Sequence, residues 1–313
     1  MKSFFGYPGG KSRLATRFVK QGVFNPVLPI TEYIEPFAGG FSMGLTLLKE
    51  YGPFPVRIND IDKDVFVLWD VVLNPKERNE LCQKVMSFKP TLRDFAKVKS
   101  RILADKDKCR FHRTRVERAF DKLLVHKLSY SNMGEKAATH VGGKSQRADD
   151  GTPKQWGFDV RWNPAEICKA IVRVTDMVKV QTAGNFQVTF DNVFDLLSDI
   201  SPKTLVYLDP PYYVAGDKCY KHSFANNGDG KRPTNKHEDL AKALKGVKWR
   251  WLMTYDNAEA VKKLYPGQCA EVTLNYQMSS AYRAGQSLKP NTELVISNFP
   301  PLLKPFTNEN VHV

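Results

Sequence analysis

Residues 205–212 read Leu-Val-Tyr-Leu-Asp-Pro-Pro-Tyr. Four apolar residues end a candidate buried strand, and a carboxylate, Asp209, stands where that strand stops. Pro210 and Pro211 then stiffen the backbone, and Tyr212 adds a ring face. Open α/β sheets bind ligands just beyond the carboxyl ends of their strands, so a stiff polar turn in that place is a candidate site. Asp209 can accept one N–H of an exocyclic amine, and the Pro210 carbonyl can accept the other. Tyr212 can stack on the ring that carries the amine. Such a set suits an adenine amino group, a weak conjugated nucleophile, aimed at a methyl donor that is already activated. That chemistry needs no covalent protein nucleophile, because positioning and electrostatics supply most of the acceleration.

Four further stretches can hold the donor. Residues 6–12, Gly-Tyr-Pro-Gly-Gly-Lys-Ser, form a tight, amide-rich turn that offers the Tyr7 ring and the Lys11 cation. The G-x-x-x-x-G-K spacing of a phosphate loop is absent. Residues 33–42, Tyr-Ile-Glu-Pro-Phe-Ala-Gly-Gly-Phe-Ser, read as a strand, a glycine turn at Gly39-Gly40 and the opening of a helix. This is how nucleotide-binding α/β units begin, although G-x-G-x-x-G is incomplete and no dinucleotide is specified. Asp60 follows the next candidate strand, 56–59, about twenty residues beyond the glycine turn, where an acid accepts hydrogen bonds from ribose hydroxyls. Asp62 and Asp64 stand close by and can instead open the following helix. Asp191 and Asn192 follow a fourth alternating segment, 186–190. They can bind an adenine edge or cap the next helix.

The elements that must position these residues alternate strand and helix. Helices are expected from about Ser12 to Gly22, after Ser42, after Asp64 and from Pro164 to about Val178. Later strands are expected at 205–208, 249–254, 271–276 and 293–299, giving about seven. Between them the rhythm breaks. From Lys76 to Lys154 basic residues clearly outnumber acidic ones, one amphipathic helix carries Val116, Phe120, Leu123 and Leu124, and a polar loop runs from Glu135 to Gln155. The division expected is a catalytic domain, 1–75 and 165–313, with a basic insert, 76–164. Lys97, Lys99, Arg113, Arg115, Lys127, Asn132, Lys136, Lys144 and Arg147 are the candidate nucleic-acid contacts within it.

Composition bounds these readings. The chain has 313 residues, 42% of them hydrophobic, enough for a large domain or one with a smaller attachment. Its 47 basic and 33 acidic residues give a net charge of +14, which favours a polyanionic partner. Five widely spaced cysteines make no zinc pattern, so no metal site is expected, and their odd number suits a reducing compartment. With no long apolar run and no signal-peptide core, the expectation is a cytoplasmic protein with no membrane partner.

Taken in order, Tyr7-Pro8-Gly9-Gly10-Lys11, Glu35-Pro36-Phe37-Ala38-Gly39-Gly40, Asn59-Asp60-Ile61-Asp62 and Asp209-Pro210-Pro211-Tyr212 resemble the Dam-like, D12-class alpha group of DNA adenine-N6 methyltransferases. Asn275-Tyr276 with Ser279-Ser280, and the segment 293–299, extend the match. The resemblance spans roughly 1–75 and 165–300. It implies a Rossmann-like S-adenosylmethionine-dependent sheet of about seven strands with an inserted, mainly helical DNA-recognition domain. It further implies cofactor contacts from Tyr7, Lys11, Phe37, Ala38, Gly39, Gly40, Asp60, Asp191, Asn192 and Asp209. Asp209, Pro210, Pro211 and Tyr212 are implied to hold a flipped adenine of double-stranded DNA. Relatives in bacteria and phages work with or without a cognate restriction enzyme. Many carry tryptophan where this chain has Tyr7, and their asparagine-glycine segment is looser here, at Tyr130-Ser131-Asn132-Met133-Gly134. A target sequence is therefore not carried over.

The competing readings are an RNA adenine or DNA cytosine-N4 methyltransferase, and a non-catalytic nucleic-acid binding protein that keeps the fold. Cytosine-N4 enzymes commonly place serine where Asp209 stands. The intact set of Asp209, Pro210, Tyr212, Lys11 and Asp60 argues against a decayed enzyme.

Overall fold

The computed structural model describes residues 1–104, 113–136, 140, 161–214, 236–274 and 291–300. Seven strands form one sheet: β1 (Tyr33–Glu35), β2 (Val56–Asn59), β3 (Phe186–Thr189), β4 (Leu205–Leu208), β5 (Arg250–Asp256), β6 (Cys269–Leu274) and β7 (Asn291–Ser297). Their order is β3-β2-β1-β4-β5-β7-β6. β1 to β5 run parallel to one another, whereas β7 runs antiparallel to both β5 and β6. The sheet is Rossmann-like, flanked by helices, with an additional helical region. From β1 the chain steps to β2 and β3 on one side, and to β4 and β5 on the other. That reversal opens a crevice at the carboxyl ends of β1 and β4.

Apolar runs in the central strands serve two faces, because successive side chains point to opposite sides. Leu205 and Tyr207 join the core that holds Phe18, Leu47 and Trp69. Val206 and Leu208 join the core on the other face with Leu240, Trp251 and Leu294.

Local signals start the helices at defined places. α1 (Ser12–Gln21) ends on Gly22 in the left-handed region, and α2 (Ser42–Tyr51) follows the glycine turn. α3 (Lys63–Leu73) is capped by Asp62, whose side chain accepts from the Asp64 N–H. α4 (Pro75–Ser87) has Asn74 as cap and proline at its first position, and α5 (Leu92–Ala104) follows. α6 (Arg115–Leu128) opens with a Thr114/Glu117 capping box. α7 (Pro164–Gln181) is capped by Asn163, and α8 (Val193–Leu197) by Asn192. Among the described residues α9 (Lys236–Leu244) and α10 (Glu259–Leu264) complete the set.

The helices between residues 76 and 164 pack on the core of the sheet. Leu81 and Val85 of α4, Phe95 and Ile102 of α5 and Leu123 of α6 belong to the same apolar core as Phe18 and Trp69. The polar composition of this region hides that continuity, because α6 also turns charged groups inward. Lys122 and Asp121 are buried, and Arg118 Nη1 lies 2.8 Å from Asp64 Oδ1.

Candidate active site

A cleft at the carboxyl ends of β1, β2 and β4, with an empty volume of about 650 Å³ including its open mouth, gathers most of the expected residues. Tyr7, Lys11, Phe37, Ala38, Gly39, Gly40, Asp60, Asp209 and Pro211 all line it. Gly39 stands at φ +44°, and a Cβ there would lie 2.5 Å from Tyr7 Cδ1. The Tyr7 ring therefore closes directly on the turn, where only glycine leaves the space. Gly39 is pinned on both sides, its N–H donating to Asp60 Oδ2 at 2.8 Å and its carbonyl accepting from Trp69 Nε1 at 2.9 Å.

Asp209 stands one residue past β4 with its side chain 17% exposed. Lys11 Nζ lies 3.0 Å from its Oδ2, and the Thr254 hydroxyl donates to its Oδ1 at 2.9 Å. Lys11 also donates to the Gly9 carbonyl at 2.7 Å and sits 5.0 Å from the Tyr212 ring centroid. The first turn of the chain thus reaches the Asp-Pro-Pro-Tyr turn through one ammonium. Burial pushes the Asp209 carboxyl above the usual range, and Lys11 partly offsets this. Beyond Tyr212, Asp256 accepts from the N–H groups of Tyr213 and Val214, each at 2.8 Å, and so fixes the exit of the turn. Sequence reasoning gave neither Thr254 nor Asp256 a role. Their only signal was a place near the end of a candidate strand.

Two buried carboxyls flank the glycine turn. Asp60 accepts from Gly39 and, through Oδ1, from the Asp62 N–H at 2.9 Å. Burial first and then the charge of Asp62 push it up to about 7. Glu35 accepts from the Tyr33 hydroxyl at 2.8 Å and from the Gly44 N–H, a donor in the first turn of α2, at 3.1 Å. Burial pushes Glu35 up to about 8, against both hydrogen bonds. Asn59, fully buried, ties the strand ends together: it donates to the carbonyls of Pro36 and Asp191 and accepts from the Asp191 N–H at 2.7 Å.

Asp191 and Asn192 do not line the cleft. Both are exposed, and the Asn192 side chain accepts from the Phe194 N–H as the cap of α8, the alternative left open for this pair. Pro210 is buried behind the turn, and Tyr212 joins the apolar cluster near Tyr255.

The candidate nucleic-acid contacts divide by exposure. Lys97 is exposed, and Lys99, Lys127 and Lys136 are half-buried. The Arg115 side chain is 48% exposed and paired with Asp70 and Glu77. Arg113 departs from expectation. Its side chain is 4% exposed and lies 2.8 Å from Asp121, close to Asp64, so its charge serves an internal network rather than an outer face. Asn132, at φ +57°, packs against Gly6 beside the cleft. Lys144 and Arg147 lie outside the described residues, as do the segments 275–276 and 279–280.

The family model for D12 class N6 adenine-specific DNA methyltransferases matches residues 7–150 and 155–278. The chain belongs to this family. The match runs along most of the chain, the helical region included. With membership comes S-adenosylmethionine-dependent methyl transfer to nucleic acid as the class of activity. The Type II methyltransferase M.MjaIII of Methanocaldococcus jannaschii is 23% identical over 285 residues, covering 85% of this chain and 89% of that one. The crystal structure of a Haemophilus influenzae protein, HI0767, described provisionally as a methylase, covers 90% of this chain and 89% of its own at 11% identity. Its TM-score of 0.30 is too low to carry an argument.

The residues present fit such a cofactor. The Gly39-Gly40 turn lines the cleft beneath Tyr7, Asp60 offers a carboxyl group where a diol can donate, and Lys11 with Asp209 places both charge signs at the other end. Among the described residues no cluster of three His, Cys, Asp or Glu is placed to hold a metal ion. Among them, too, no helix is long and apolar enough to cross a membrane.

Proposed function

We propose that this D12 chain methylates the exocyclic N6 amine of an adenine flipped from a specific double-stranded DNA sequence. One observation carries the reading. Asp209 is held by Lys11 and Thr254 at the carboxyl end of β4, on the wall of the same cleft that the Gly39-Gly40 turn lines. Tyr7, Lys11, Phe37, Gly39, Gly40 and Asp60 would hold S-adenosylmethionine, which supplies an electrophilic methyl group when bound. Asp209 accepts one N–H of the amine, and the Pro210 carbonyl accepts the other. Together they direct the nitrogen lone pair at that methyl group; the N–C bond would form as the sulfonium S–C bond breaks, with S-adenosylhomocysteine as the leaving group. The departing amine proton passes to Asp209 and then to water. Burial raises the Asp209 pKa, which favours this relative to an exposed aspartate, and Lys11 partly offsets that shift. Tyr212, at the end of the stiff turn, stacks on the extruded base. Such stacking returns ~1–3 kcal/mol of the cost of flipping. Duplex DNA is the partner favoured by the net charge of +14 and by exposed bases such as Lys97. A cognate restriction enzyme would be its functional partner, as for part of the family.

The test is transfer of labelled methyl from S-adenosylmethionine to duplex DNA, single-stranded DNA and RNA, with Asp209→Ala as control. Label in duplex N6-methyladenine, lost in the variant, supports the reading. Label in RNA or in cytosine N4 overturns the substrate. No label despite measured cofactor binding overturns the catalytic role.

A further inference from the structure

Tyr7 is held from a helix that carries none of the motif residues. His126, on α6, stacks on the Tyr7 ring with centroids 5.1 Å apart and planes 8° from parallel. Its Nδ1 lies 3.1 Å from the Gly6 carbonyl, one residue before that ring. Lys122 sits one turn earlier on the same face of α6, with its ammonium 5.8 Å from the Tyr7 centroid. Lys122 is buried and donates to Asp62 Oδ2 at 2.8 Å and to Glu135 at 3.0 Å. Glu135 lies 3.5 Å from His126 Nε2, which closes the group. Asp62 then reaches the cleft directly, since its own N–H donates to Asp60. On the far side of Tyr7 there is no slack, because its ring edge abuts Gly39. One face of α6 therefore bears on both the ring and the carboxylate of the cofactor cleft.

We propose that His126 and Lys122 are positioning residues for the cofactor: from α6 they press Tyr7 onto the glycine turn and anchor Asp60 through Asp62. The inference rests on the cofactor cleft being the one described above. It makes cofactor affinity depend on the helical region, which also presents Asn132 against Gly6. The ring of His126 matters for the stack, and the Lys122 charge for the orientation of Asp62. Neither residue touches the reacting atoms. A purely structural role would lower stability without selecting one substrate over the other.

The test uses the full chain and titration calorimetry with S-adenosylmethionine, followed by methyl-transfer kinetics on a methyl-accepting duplex. His126→Leu keeps apolar bulk but removes the ring and its hydrogen bond. Its cofactor Kd should rise about tenfold, with KM for the cofactor following, while kcat and KM for DNA stay within about twofold. His126→Phe restores a ring and should recover most of the affinity. Phe120→Leu is the control. Phe120 is buried on the same helix but meets Phe88 and Trp162, away from the cleft. It should lose thermal stability and keep cofactor affinity. If wild type binds and His126→Leu binds equally well, or if Phe120→Leu weakens binding as much, the positioning role is wrong. If His126→Leu does not fold, His126→Phe decides, since loss of cofactor binding in that folded variant contradicts the stack. If wild type itself does not bind S-adenosylmethionine, the reading of the cleft fails first, and this inference with it.

Discussion

Gly39→Ala examines the approach of the Tyr7 ring to the glycine turn. Gly39 has φ +44°, and an alanine Cβ would meet Tyr7 Cδ1 at 2.5 Å. Two costs are separable. Holding an L-residue in the left-handed region costs about 1–2 kcal/mol. Forcing a methyl group into a packed contact costs a further ~1–3 kcal/mol. The ring cannot simply withdraw, since His126 is stacked on it 5.1 Å away. The single variant should therefore lose about 2–5 kcal/mol of unfolding free energy. Shortening Tyr7 to alanine removes the second cost and leaves the first. In the Tyr7→Ala background, the same glycine substitution should cost only about 1–2 kcal/mol. The assay is a double-mutant cycle by urea unfolding of the four proteins, with coincident fluorescence and circular dichroism transitions as the check on two-state behaviour. A coupling of about 1–3 kcal/mol between the positions is expected. Additivity within about 0.5 kcal/mol would refute the packing argument, because the ring and the turn would then not meet.

Three further outcomes follow from the same geometry. Asp209→Asn keeps the shape of the turn but removes the proton acceptor, so methyl transfer should fall by ~10²–10⁴-fold, far more than cofactor affinity falls, read by labelled transfer beside calorimetry. Glu35 is pushed up to about 8 by burial, whereas the unfolded chain titrates near 4.5. The folded state therefore binds the extra proton between these values, and its contribution to stability is complete below the unfolded pKa and lost as pH rises through about 8. Wild type should lose stability relative to Glu35→Gln at up to about 1.4 kcal/mol per pH unit across that window, and parallel pH profiles would contradict the assignment. Arg113→Ala should destabilise the fold by ~1.5–3 kcal/mol, since Asp121 loses one buried charged hydrogen bond and keeps Arg101, whereas Lys97→Ala should leave stability unchanged and weaken duplex binding with a shallower salt dependence.

The sequence by itself determined the alternation of about seven strands with helices and the places where chemistry can occur. Period-two apolar runs and Gly-rich or Pro-rich stops are local signals, and they located β2 at 56–59 and the turn after β4 without reference to the rest of the chain. The ordered motifs also determined the family, because their spacing reflects which strand ends meet at the crevice. Asn192 could be read locally in two ways, and only the position of the Phe194 N–H selected the cap. Charge was where composition misled. Arg113, Arg118 and Lys122 belong to the basic run, yet their partners Asp121, Asp64 and Asp62 are up to 60 residues away in sequence. Whether a cation faces solvent or a buried carboxylate depends on which helix packs over it, and that is a nonlocal fact. The same holds for the clasp of Asp209 by Lys11 and Thr254, and for the His126 ring on Tyr7. Local periodicity encodes the elements, but only their packing determined which side chains from distant elements share one cleft.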